Sequence, residues 1–156
     1  MLKFVDFKVT FAEIPDEISL CISLSGCPHR CKGCHSSYLQ EDIGTVLTTQ
    51  ILDKLIESNN VITCVCFMGG DNNIPVLCEL AEHIKNNHHL KVAWYSGLQF
   101  IPTQIDRPTY MAFDFIKTGP YIEKDGPLTS KTTNQRLYSK NGHLFSDITS
   151  KFWKDN

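Results

Sequence analysis

Three cysteines lie within eight residues, in the run Gly26-Cys-Pro-His-Arg-Cys-Lys-Gly-Cys-His35. The spacing Cys27-x3-Cys31-x2-Cys34 offers three thiolates to one cluster of irons. A cubane held by three sulfurs keeps a fourth iron without a protein ligand, and an open iron is a place where chemistry can occur. A lone zinc would need a fourth ligand, which His35 or His29 could provide. His29, however, sits between two ligands in a tight loop, and His35 directly follows Cys34. A ferredoxin-type cubane takes four cysteines, commonly with a further Cys-x2-Cys step, and the chain has no such step. Cys64 and Cys66 share one face of an apolar segment, and Cys21 and Cys78 have apolar neighbours, so these four read as small buried hydrophobes.

The surrounding 156 residues are 42% hydrophobic and 21% charged, the balance of a soluble globular protein. A chain of this size buries roughly two thirds of its unfolded surface around one core, so residues 1–156 are expected to form a single domain. The formal net charge of −2 argues against non-specific nucleic-acid binding. His29, Arg30 and Lys32 form a short basic run in the cysteine loop, suited to a solvated loop or to an acidic partner surface. No apolar run reaches the roughly 20 residues needed to span a bilayer. The segment Met-Leu-Lys-Phe-Val-Asp-Phe lacks the features of a secretory signal. Seven cysteines, three of them closely set, fit metal ligation in a reducing cytoplasm better than a disulfide framework.

The elements that would position the cysteine loop follow from periodicity. Residues 18–25 read as an apolar strand ending at Gly26. Thr48 or Thr49 caps a helix carrying Ile51, Leu52, Leu55 and Ile56. Residues 61–68 read as a buried strand stopped by Gly69-Gly70. Pro75 starts a second helix with Leu77, Leu80, Ala81 and Ile84, ending at Asn86-Asn87. Residues 90–95 and 110–116 read as further strands, and Asn141-Gly142 as a hairpin turn in a loop-rich tail. The alternation βαβαβ implies a mostly parallel sheet with helices packed on it. The chain is too short for an eight-fold barrel of roughly 250 residues, so a partial, open βα barrel is expected. Its ligand site belongs beyond the carboxyl ends of the strands, where residues 27–34, 69–71 and 96–97 and the stretch after Ile116 all fall.

The cysteine run resembles the signature of the radical S-adenosylmethionine superfamily. That resemblance implies a [4Fe-4S] cluster on Cys27, Cys31 and Cys34, with the amino and carboxylate groups of S-adenosyl-L-methionine on the open iron. It also implies reductive cleavage of that cofactor to methionine and a 5'-deoxyadenosyl radical, a reaction in which no side chain need act as general acid or base. Gly69-Gly70-Asp71 is similar to the family's Gly-Gly-Glu/Asp element, which meets the methionine ammonium. The sequence then departs from the usual Pro-Leu, reading Asn72-Asn73-Ile74-Pro75. Ser96-Gly97 resembles the rim element that meets the methionine or ribose part. His35 and the backbone around Gly33 would border the adenine, and Asp114 resembles a polar residue late in the strand series. The segment 114–123, followed by Thr132-Thr-Asn-Gln-Arg136, resembles the activating proteins of anaerobic ribonucleoside-triphosphate reductases. Lys117, Gly119, Tyr121, Asn134, Gln135 and Arg136 would then shape the cofactor side or the docking surface. The implied partners are the large reductase subunit, which carries the target glycine, and a flavodoxin-like or other low-potential electron donor. Two alternatives remain: a radical enzyme acting on a small metabolite, and a zinc or iron–sulfur module without catalysis.

Overall fold

A computed structural model describes residues 1–153. Eight strands form one sheet in the order β3-β1-β2-β4-β5-β6-β7-β8. They are β1 (Lys3–Thr10), β2 (Ser19–Leu24), β3 (Thr45–Val46), β4 (Cys64–Met68), β5 (Lys91–Tyr95), β6 (Phe115–Thr118), β7 (Arg136–Asn141) and β8 (Leu144–Asp147). The central pairs β2·β4, β4·β5 and β5·β6 are parallel. The flanking pairs that join β1, β3, β7 and β8 are antiparallel. Helices α1 (Thr49–Glu57), α2 (Ile74–His88) and α3 (Arg107–Ala112) occupy the crossovers. None of the described helices is long and apolar enough to cross a membrane.

Strand residues alternate between two packing faces, as the pleat requires. Leu20, Ile22, Val65, Phe67, Val92, Trp94 and Ile116 point into the larger core. There they meet Leu52 and Ile56 of α1 and Leu77, Leu80, Ala81 and Ile84 of α2, so the described helices cover this face. Cys21, Cys64, Cys66, Ala93 and Phe115 form a smaller cluster on the other face, closed by Ile14, Leu137, Ile148 and Phe152.

Local signals explain the helix limits. The Thr48 hydroxyl accepts from Ile51 N and starts α1. Asn73 caps α2 by accepting from Val76 N, and Pro75 occupies the first turn. Asn72-Asn73-Ile74-Pro75 is therefore a helix entry. α2 runs past Asn86-Asn87 to His88 and stops at His89, whose φ of +55° is left-handed. The hairpin turn falls on Gly142-His143, one residue later than expected, because Asn141 pairs with Leu144.

The expected strand over residues 110–116 needs correction. Arg107–Ala112 is helical and only Phe115–Thr118 is extended. Asp106 accepts from Thr109 N, and Pro108 lies in the first turn, so the local cap outweighs the apolar run.

Asp114 lies just before β6, at the amino ends of the parallel strands. Its Oδ2 accepts from Val92 N at 2.9 Å, its Oδ1 lies 3.4 Å from Lys85 Nζ, and its carbonyl accepts from Lys140 N. It ties β5, β6, β7 and α2 together. Asp114→Ala should therefore lower unfolding free energy by about 1–3 kcal/mol in denaturant titrations while iron content is unchanged. Iron loss at undiminished stability would contradict this role.

Candidate iron–sulfur centre

The chain climbs β2 and turns at Ser25-Gly26 into the cysteine loop. The base of the loop is pinned on both sides. Ser25 N donates to Lys3 O at 2.9 Å, Gly26 N to Glu41 O at 3.1 Å and Cys27 N to Leu39 O at 2.9 Å. Within the loop, Cys34 N donates to Cys31 O at 3.3 Å, drawing the last two cysteines into one turn.

All three loop thiols are free and partly accessible, and all line one cavity beyond the carboxyl ends of β2, β4, β5 and β6. Asp71, Ser96 and Lys117 line the same cavity, with Tyr121 and Gln135 from the tail. The four remaining cysteines are buried, as expected of small hydrophobes. Burial pushes the Cys64, Cys66 and Cys78 thiols above their ordinary range. Burial also raises the Cys27 thiol, against the lowering by backbone hydrogen bonding at His29.

Asp71 joins three rim segments. Its side chain is only 3% exposed, and its Oδ2 contacts His29 Nε2 at 2.7 Å and accepts from Gly97 N at 2.9 Å. The cysteine loop, the end of β4 and the end of β5 thus meet on one oxygen. The other oxygen, Oδ1, is buried without a hydrogen-bond partner. A buried carboxylate oxygen without a donor carries an uncompensated desolvation cost. Gly69 and Gly70 make the approach possible, with φ of +111° and +100°, a region that strains side-chain-bearing residues. At Gly97 the need is steric: an added Cβ would stand 2.6 Å from the His29 ring.

Lys117 is buried beneath the same cavity. Its Nζ donates to Ser96 O at 3.0 Å and Gly119 O at 2.9 Å, and lies 5.8 Å from the Tyr95 ring centre. Burial lowers its pKa to about 8, against the raising influence of Asp71 and the three cysteines. At neutral pH it is a buried cation on the cavity that Asp71 and the loop cysteines also line.

Of the other residues expected at the site, Gly69 and Ser96 line the cavity. Gly33, His35, Gly70 and Asp114 are not among its lining residues. The space beside Gly70 is filled by Leu77 and Leu24 methyls, and Gly33 abuts Glu123 and Tyr121. His35 is exposed, with its ring 6.0 Å from that of Tyr121. The His29–Asp71 link is the feature that sequence reasoning missed. Its partners are 42 positions apart, and His29 had only its place in the cysteine run to mark it.

The donor set fits a cluster better than a lone ion. Zinc with Zn–S bonds of about 2.3 Å holds its sulfurs roughly 3.8 Å apart. Among the described residues the group with three ligand atoms within 4.8 Å of one another is Asp53, His83 and His88, not the loop thiols. His29, the nearer candidate for a fourth zinc ligand, already has its Nε2 on Asp71. Thiols spread around one cavity suit the separate corners of a cubane.

Comparison with known proteins agrees with this assignment. Residues 18–140 match the family model described as a 4Fe-4S single cluster domain, and the chain belongs to that family. The match takes in the cysteine loop, the parallel strands and most of the tail. No curated protein and no solved structure matches significantly.

Cys27→Ala, Cys31→Ala and Cys34→Ala should each reduce anaerobically reconstituted iron well below about four per chain, with far-UV dichroism preserved. Full iron retention in any one of them would remove that cysteine from the ligand set. Side-chain NMR of cluster-free protein should show Lys117 titrating near pH 8. Its folded value lies below the unfolded one, so between pH 8 and about 10.4 the unfolded chain binds more protons. This group's contribution to stability therefore rises with pH across that window. Titration at the ordinary lysine value would contradict its burial.

Proposed function

We propose that this protein is a radical S-adenosylmethionine activase that installs a glycyl radical on an anaerobic ribonucleoside-triphosphate reductase. The observation that carries the reading is the buried, unpartnered Oδ1 of Asp71 in a cavity shared with three cluster-forming thiols and a buried lysine. The donor chemistry matches a ligand with both a cationic and an anionic end. Asp71 would accept from the methionine ammonium, while Lys117 would offset the methionine carboxylate and the charge of the thiolate-bound cluster. Ser96 would set the height of the rim, since its hydroxyl accepts from Leu98 N and its carbonyl holds Lys117.

Cys27, Cys31 and Cys34 would hold the cluster and Asp71 and Lys117 the S-adenosylmethionine, which together would supply one-electron reductive cleavage and hydrogen-atom abstraction from the partner's glycine. The chain's own residues would orient the ligand and keep water from the reacting end. A flavodoxin-like or other low-potential carrier would supply the electron.

The fold supports the reading without being specific to it. Small side chains such as Cys21, Cys66 and Ala93 fill the helix-free face, while Phe67, Trp94 and Ile116 fill the helical one. That asymmetry suits a sheet curving as a partial barrel with its narrow side inward. The tail from Gly119 to Gln135 closes one flank of the cavity, and Tyr121 and Gln135 lie where a docked polypeptide could complete the wall.

The deciding experiment mixes cluster-loaded protein, a low-potential reductant and S-adenosylmethionine with an anaerobic ribonucleotide reductase, and records electron paramagnetic resonance. A glycine-centred signal on the reductase is expected. Deoxyadenosine formation without transfer would point to a small-metabolite substrate, and absence of cofactor cleavage to a passive cluster module. Asp71→Ala should raise the S-adenosylmethionine concentration for half-maximal cleavage about 10- to 100-fold, the loss of one charge-assisted hydrogen bond. An unchanged requirement would remove Asp71 from the ligand contacts.

A further inference from the structure

A second cluster of ligating side chains lies away from the cavity, between α1 and α2. Asp53 projects from α1, and His83 and His88 from the last part of α2. Asp53 Oδ1 lies 2.7 Å from His83 Nε2 and 2.6 Å from His88 Nε2, so three ligand atoms converge on one point. His88 comes just before the start of β5, whereas the cysteine loop lies beyond the carboxyl ends of the strands. The two sites therefore occupy opposite ends of the sheet.

We propose that Asp53, His83 and His88 bind a divalent transition-metal cation, for which zinc is the best-matched common ion. Two imidazoles and one carboxylate are a donor set that zinc takes readily, with a fourth position left for water. Side-chain exposures of 33% for Asp53, 24% for His83 and 16% for His88 give an ion a way in and leave room for that water. Tetrahedral bonds of about 2.0–2.1 Å would place the ligand atoms roughly 3.3 Å apart. The two separations from Asp53 need to open by less than about 1 Å, within the reach of side-chain rotation.

The surroundings favour a cation at this point. The carboxyl end of α2 carries the negative end of the helix dipole. Asn87 braces the far side of His83, with its Nδ2 3.2 Å from His83 Nδ1 and 2.9 Å from the His83 carbonyl. The Asn87 amide nitrogen donates to the His83 carbonyl and lies against Nδ1, so an ion on Nε2 would move the ring proton to Nδ1 at the expense of that ring contact. The ion would then clamp α1 to α2.

Zinc added to chelator-washed, cluster-loaded protein under anaerobic conditions tests the site. Zinc K-edge absorption should show one bound zinc per chain with only nitrogen and oxygen neighbours, including imidazole scattering. His88→Ala and Asp53→Asn should each weaken binding about 100-fold or more, beyond the usual cost of losing a supporting partner. In the unmutated protein, the His83 and His88 imidazole resonances should shift as zinc is added, which makes the test independent of how the variants fold. Sulfur ligation, affinity unchanged in both variants, or unmoved His83 and His88 resonances would overturn the proposal.

Discussion

One carboxylate oxygen holds the rim of this protein together. Asp71 Oδ2 receives the His29 ring and the Gly97 amide, so the cysteine loop cannot move independently of the ends of β4 and β5. Hydrogen bonds to a charged group each contribute about 1.5–3 kcal/mol, more than the neutral bonds that pin the base of the loop. The same residue keeps its second oxygen buried and unmatched. Asp71 thus secures the architecture with one oxygen while the other stays buried without a hydrogen-bond partner, and the glycines on either rim are the steric condition for this placement.

Beneath that rim the sheet is divided by residue size. Its helical face is packed with Phe67, Trp94, Leu20 and Ile22, and Trp94 lies 5.3 Å from Phe113, ring centre to ring centre. On the opposite face the central strands carry Cys21, Cys64, Cys66 and Ala93, and Phe115, Ile14, Leu137, Ile148 and Phe152 pack around these small side chains. Period-two alternation makes the division automatic once the register of the parallel strands is set. It also places Met68, Tyr95 and Lys117 on the cavity side at the strand ends. Lys117 remains there because two backbone carbonyls and an aromatic ring receive its ammonium in place of water.

The central elements were legible because local and global signals agree in them. Apolar β-branched runs stopped by glycine became β4 and β5, and capped amphipathic segments became α1 and α2. β1 was not legible, since Phe7 and Val9 are exposed and the strand shows no buried alternating face of its own, although it pairs with the next strand, β2. β3 is two residues long and exists only through its pairing with β1. The helix at Arg107–Ala112 was legible in principle from Asp106 and Pro108 but was masked by the following apolar residues. In the site, the closely spaced cysteines could be read directly, and Asp71, singled out by the likeness of Gly69-Gly70-Asp71 to a family element, lines the same cavity. The His29 contact could not, because it depends on two loops meeting after the sheet is built. Asp114, by contrast, falls just before β6, at the amino ends of the parallel strands and away from the cavity, a placement that depends on where the strand begins.

The sorting of sulfur between surface and interior has a chemical consequence. Cys21, Cys64, Cys66 and Cys78 are sealed, and burial keeps the last three protonated, whereas Cys27, Cys31 and Cys34 remain within reach of solvent. Electrophiles and peroxide act on accessible thiolates, so in the cluster-free chain they would be directed to the three loop positions. Alkylation stoichiometry under native conditions thereby becomes a gauge of how much of a preparation has lost its irons.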